Sequence, residues 1–208
     1  SRAVGIICLI GFLMGVIIAF ETALVAQIFG AVIFVVNGIG IAMTRELGPL
    51  MTAILFAGRS GSAFAAQLGT QKVNEELNAL TTFGLSPMYF LVVPRLIASS
   101  LVVPLLSVFA TILGILGGGL VMAMYDITYT QFYVQLLKSV TVTDIVFGLV
   151  KAVIFGFVIA LIGCQCGMNT GAGAAAVGSS TTKSVVKSII WIVVIDGAAA
   201  LLTNRLGI

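Results

Sequence analysis

Long apolar runs alternate along this chain with short charged stretches. Residues 3–20 and 22–44 carry no charge, with Glu21 alone between them, and residues 96–125 and 152–182 carry none either. A helix needs roughly 20 apolar residues to cross a bilayer. The pattern therefore predicts an all-α, polytopic membrane helix bundle of about five spans, near 4–29, 32–64, 94–122, 142–165 and 186–204, forming one membrane domain over 1–208. The second run is longer than a bilayer requires, which predicts tilt, a kink or a re-entrant stretch. Gly30 supplies the turn before it, and Asn37, Gly38 and Gly40 are expected to loosen the helix. Pro49 frees a backbone carbonyl and bends what remains.

The most polar stretch is QLGTQKVNEELNALTTFGLSP, residues 67–87. Val73, Leu77 and Leu80 recur at helical spacing, with Lys72, Glu75, Glu76 and Asn78 on other faces. This predicts a short amphipathic helix near 70–84, ended by Gly84 and Pro87. Such a helix either lies on the membrane surface or docks a cytoplasmic partner. Its acidic pair argues mildly against anionic lipid. The Gly-, Ala-, Ser- and Thr-rich segment 167–182 reads as an inner loop. Its G-A-G-A-A-A follows no strand, and its GSSTTKS lacks the glycine that a phosphate loop places before lysine. The chain thus shows no nucleotide-hydrolysis site of its own.

Composition sharpens the picture. Of 208 residues, 60% are hydrophobic and only 8% charged, against roughly 25% in soluble domains, so lipid is the solvent for most of the surface. The net charge of +3 is too small and scattered for nucleic-acid binding. With the N-terminus inside, Arg2, Arg59, Lys72, Arg95, Lys183 and Lys187 fall on the inner face and only Lys138 and Arg205 on the outer, as the positive-inside rule prefers. There is no histidine, and Cys8, Cys164 and Cys166 lack metal or redox spacing, so they read as small packing residues. Small residues four apart, among them Gly11 with Gly15, Ala57 with Gly61, Ala65 with Gly69, Gly114 with Gly118 and Gly163 with Gly167, let helices approach closely.

Charges within spans demand a reason, since each costs about 2.5–3.5 kcal/mol at mid-bilayer unless paired or wetted. Glu21, Arg45, Glu46, Lys151 and Asp196 all fall there. Lys151 with Asp196, or Arg45 and Glu46 with others, serve either as neutralising pairs that fix packing or as a polar lining. Arg45 and Glu46 are adjacent, so on a helix they point about 100° apart and cannot both face one partner closely; Glu46 is expected to hold Arg45 of a second copy, or a neighbouring span. They read as two edges of a polar opening, with the guanidinium suited to a lipid phosphate. Ile18, Val25 and Phe29 of the first span would line the same cavity against acyl chains. A rival reading is an ion- or proton-coupled secondary carrier of a small amphiphile, with Glu21, Glu46, Lys151 and Asp196 as a relay; such carriers ordinarily show an inverted repeat, and this sequence shows none.

RELGPLMTAILFAGRSGSAFAAQLGTQKVNEELNALTTFGLSP, residues 45–87, strongly resembles the signature region of MlaE-type permeases. MYFLVVPRLIASSLVVPLL after it, and Gly178, the TTK at 181–183, Val185-Val186 and Asp196, are similar too. The resemblance implies a lipid-transporting ABC permease that is a homodimer in the bacterial inner membrane. It implies two cytoplasmic ATPase subunits, often a small STAS-domain protein, and an outer hexameric ring of MCE-domain proteins. ATP and magnesium would be held by the ATPase, and this chain would bind no cofactor. Arg45-Glu46 matches the charged pair near the family's lipid cavity. The segment after Gly69, with Lys72, Val73, Glu75, Glu76, Leu77 and Leu80, matches its ATPase-coupling helix. The family's N-terminal interfacial helix is expected to be absent or truncated. Asn74-Glu75-Glu76-Leu77-Asn78 departs from the Thr-Glu-Gln-Ile-Asp of many members, which bears on partner specificity.

Overall fold

A computed structural model describes residues 2–206, apart from the side chains of Arg2, Ala3, Asn204 and Leu206. The Arg2 side chain, expected on the inner face, thus lies outside what is described. Among those described, the regular structure is helical. Five segments are long and apolar enough to cross a bilayer: Val4–Ile28, Val32–Val73, Met88–Ala123, Val142–Met168 and Ala174–Thr203. In chain order the α-helices are α1 (Arg2–Ile28), α2 (Val35–Ile41), α3 (Gly48–Phe56), α4 (Ser62–Val73), α5 (Glu76–Thr82), α6 (Val93–Ala123), α7 (Tyr129–Ser139), α8 (Val142–Met168) and α9 (Ala174–Leu206).

The first turn forms where the glycine allows it. Gly30 adopts φ +64. Its N–H donates to the Gln27 carbonyl at 3.2 Å and that of Ala31 to Ala26 at 3.0 Å. This paired closure satisfies carbonyls that the end of α1 would leave orphaned. The second span then continues from α2 to α4 through two wide π-helical turns, Ala42–Leu47 and Ala57–Gly61. Pro49 explains the first. In an α-helix its ring would collide with the carbonyl four residues back, that of Arg45, and the wider turn accommodates it. A third wide turn, Met88–Val92, precedes Pro94 in the same way. Asn37 does not loosen α2: its side-chain oxygen accepts from Gln135 Nε2 of α7 at 2.9 Å.

The chain forms two compact units, Ser1–Thr52 with Pro104–Lys151, and Ala53–Val103 with Ala152–Ile208. In the first, α1 lies against α6. A Cβ at Gly11 would meet the Ala110 carbonyl oxygen at 2.6 Å, and one at Gly15 would overlap Gly114. Around that contact a core gathers Ala19, Ala23, Val36, Ile39, Met43, Met122 and Phe132. In the second unit, Cβ atoms at Gly163 and Gly167 would meet the carbonyl oxygens of Gly61 at 2.8 Å and Ala65 at 3.0 Å. The Ser184 hydroxyl donates to the Gly61 carbonyl at 3.2 Å. These small residues thus serve packing inside each unit, where lipid gives helices no hydrophobic reason to associate. Cys164 and Cys166 are buried packing residues, and Cys8 is half-buried.

Three expectations need correction. The second span does not end near 64; its helix runs on to Val73. The segment near 70–84 is not one helix. The chain turns at Asn74 and Glu75, the latter left-handed at φ 60, before α5 begins. Val73 therefore sits on α4 while Leu77 and Leu80 sit on α5, and no single stripe joins them. The loop foreseen at 167–182 is short, because α9 starts at Ala174. Three alanines begin it with the best of helix formers, and Thr181 and Thr182 spend their hydroxyls on the Gly178 carbonyl within the helix.

Candidate functional site

The charged pair of the second span meets α8 inside the first unit. Gly148 has no side chain to hold the helices apart, and a Cβ there would overlap the Thr44 carbonyl. This close approach lets Arg45 and Glu46 take different partners on one helix. Arg45 Nη1 lies 3.3 Å from Asp144 Oδ1. Lys151 Nζ donates to Glu46 Oε2. The partners are seven residues apart, two turns of α8 on one face. Phe147 stands between them, its ring centroid 5.2 Å from the Arg45 guanidinium carbon and 5.7 Å from Lys151 Nζ. Both cations thus rest against one aromatic ring, a favourable arrangement in surroundings poor in water.

Burial differs sharply across this group. The Lys151 side chain is 2% accessible, whereas that of Glu46 is 34% accessible. Asp144 is also positioned by its own helix end: Oδ2 accepts from the Thr141 N–H at 3.0 Å and hydroxyl at 2.7 Å. Thr141 begins α8 as its cap and Asp144 closes the loop, a variant of the capping box with the shorter acid. Sequence reading missed Asp144, although the Thr-x-x-Asp spacing before an apolar run was there to find. It missed α7 as well, announced by Thr128 and Gln131, which form a full capping box.

Beside these charges lies an apolar groove of about 300 Å³, lined among others by Thr44, Pro49, Thr111, Leu136, Ile145 and Gly148. Of the first-span residues expected to face substrate, Val25 and Phe29 are exposed, while Ile18 is half-buried against the α1–α2–α6 core. Glu21 is exposed on α1, and Asp196 is half-buried on α9. The structure therefore joins Arg45, Glu46 and Lys151 in one cluster, where Lys151, expected to pair with Asp196 if these charges fix packing, pairs with Glu46; Asp196 belongs to the other unit.

In the second unit, Lys72, Glu75 and Glu76 are exposed and Leu77 is buried. Leu77 and Leu80 line a hollow of about 300 Å³ with Gln71, Phe83, Phe90 and Leu91. Gly84 closes α5 at φ +75 by the same paired closure as Gly30: its N–H reaches Thr81 and that of Leu85 reaches Leu80, both at 3.0 Å.

Helices of membrane length, two sets of closely meshed small residues and charges paired at membrane depth define a multi-pass membrane protein. Residues 1–202 match the family described as Permease MlaE, and the chain belongs to that family. It is similar to a probable ABC transporter permease protein of Rickettsia typhi, 34% identical over 191 residues, 91% of this chain and 73% of the relative. A probable ABC transporter permease protein of Synechocystis is 38% identical over 180 residues, 86% of this chain and 68% of that one. The chloroplastic protein trigalactosyldiacylglycerol 1 of Arabidopsis thaliana is 38% identical over 159 residues, 76% of this chain and 45% of that protein. The chain is accordingly a transport subunit of a membrane.

Proposed function

We propose that the chain is the membrane-spanning permease of an ABC transporter that moves phospholipid or a related lipid between a bacterial inner membrane and a ring of MCE-domain proteins. ATP hydrolysis belongs to a separate cytoplasmic ATPase dimer, with or without a STAS-domain protein. The observation that carries this reading is the family match over nearly the whole chain, with relatives named as ABC transporter permeases. That the Arabidopsis relative is named for a galactolipid supports lipid as cargo. The paired charges weaken the rival relay: Glu46 and Lys151 neutralise each other, which suits packing or a switchable opening better than a chain of proton carriers.

In this reading Arg45 and Glu46 edge the lipid path. A phosphate would compete with the Asp144 carboxylate for the Arg45 guanidinium, which suits a site that must also release its lipid. A bundle of about five spans is small for a two-tailed lipid, so two copies share the cavity. The exposed Val25 and Phe29 offer apolar wall to it. Lys72, Glu75 and Glu76 stand exposed where an ATPase would dock. The test is reconstitution of the chain with its ATPase and MCE partners in vesicles of labelled phospholipid. ATP should drive label between the vesicle and the MCE ring, in one direction or the other, and hydrolysis without label movement from either starting side would sink the proposal.

A further inference from the structure

A second polar hollow lies wholly within the second unit. It has a volume of about 380 Å³ and is lined by Gln165, Asn169, Ser179, Ser180, Lys183 and Lys187, together with small neighbours. This is within the roughly 300–1,000 Å³ of small-ligand sites. Lys183 and Lys187 are four residues apart on α9, so they stack on one face. Both are exposed, and among the described residues neither has a carboxylate partner. No acidic residue lines the hollow. Its floor is fixed, since the Thr170 hydroxyl donates to Ser180 Oγ at 2.8 Å and both residues are buried. Two ammonium groups, two hydroxyls and two carboxamides thus surround a space without negative charge. A tetrahedral oxyanion, with several acceptor atoms and net negative charge, satisfies that set of donors.

The same face of α9 says where such an anion comes from. One and two turns beyond Lys187, Ile190, Trp191 and Val194 follow at helical spacing, each more than half exposed. Tryptophan and lysine are the residues that settle at the boundary between headgroups and acyl chains. A lipid standing here sets its phosphate among the lysines and runs its chains along Ile190 and Val194. We propose that this hollow binds the phosphoryl headgroup of an anionic lipid of the inner leaflet. The site rests on the chain lying in a bilayer with Lys183 inside, and not on the transport reading, which uses other residues.

The test uses the full chain in nanodiscs containing phosphatidylglycerol in a phosphatidylcholine background, with retained lipid read by native mass spectrometry. The Lys183→Gln/Lys187→Gln double variant should weaken phosphatidylglycerol retention roughly thirtyfold, from about 1 kcal/mol for each lysine near an anionic surface. Lys138→Gln, a lysine on another helix, should change nothing, and the double arginine variant should retain the lipid. Equal melting temperatures would show that the variants fold. Equal retention by the double glutamine variant would overturn the proposal, and so would equal loss in Lys138→Gln, which would reduce the effect to general charge. Inorganic phosphate that displaces the lipid at matched concentration would assign the hollow to a soluble phosphoryl ligand and overturn the lipid source.

Discussion

Charges stand in two settings, inside the second span and around the turn at its end, and the fold treats them in opposite ways. At Arg45 and Glu46 each charge is matched with an opposite one on α8 and leaned on a shared ring. At Lys72, Glu75 and Glu76 the charges are left exposed, and the Glu75 carboxylate accepts from the Asn78 amide within its own turn. Where water is scarce, an unmatched charge costs several kcal/mol and the chain must neutralise it internally. Where water is present an exposed pair contributes almost nothing to stability, and those charges remain available to another protein.

The contrast can be broken most forcefully at Glu46. Glu46→Ala takes the carboxylate from a lysine that is 2% accessible, and unfolding in detergent should show a loss of about 3 kcal/mol or more. Glu76→Ala, on an exposed position, should stay within about 0.5 kcal/mol of the parent. Equal losses would show that the two settings are energetically alike. Next comes Arg45. Arg45→Ala should slow lipid transfer at least about tenfold, the worth of one charge-assisted hydrogen bond. Arg45→Lys should restore part of it, because a point charge lacks the planar fork. Transfer at the parental rate in both variants would leave the guanidinium with a packing role alone. The smallest change in stability belongs to the elbow. Glu75→Lys with Glu76→Lys should leave melting unchanged yet weaken recovery of the ATPase in pull-downs. Glu75→Gly should gain up to about 1 kcal/mol by relieving the left-handed backbone; if it loses stability instead, the Asn78 contact outweighs the strain.

Helices and charges of this chain were legible to different degrees. Apolar run length placed the five spans because lipid imposes one simple demand on all of them. Gly30 and Gly84 announced their turns, and Pro49 its distortion, because each acts through its own backbone. The pairing of Glu46 with Lys151 joins residues 105 apart, and no local rule selects it from the other charges available. The break at Asn74-Glu75 was hidden by good helical spacing on either side, since Val73, Leu77 and Leu80 suit one helix as well as two. Asp144 marks a cap through its distance from Thr141, a short-range signal that says nothing of its second partner Arg45, 99 residues away. The role of the Gly-rich stretch at 167–182 was misjudged from composition, where the run of alanines carried more weight than the neighbouring serines and threonines.

The wide turn at Ala42–Leu47 holds one residue more than the regular ladder would fit into the same stretch of helix. It behaves like a dislocation in a crystal. Moving the surplus one position along the chain exchanges one backbone hydrogen bond for another, and the residue it passes swings by about 100° around the axis. Arg45 and Glu46 sit inside that dislocation. Their two grips on α8 therefore also pin it in place, and loosening either one frees the surplus to glide without unwinding the helix.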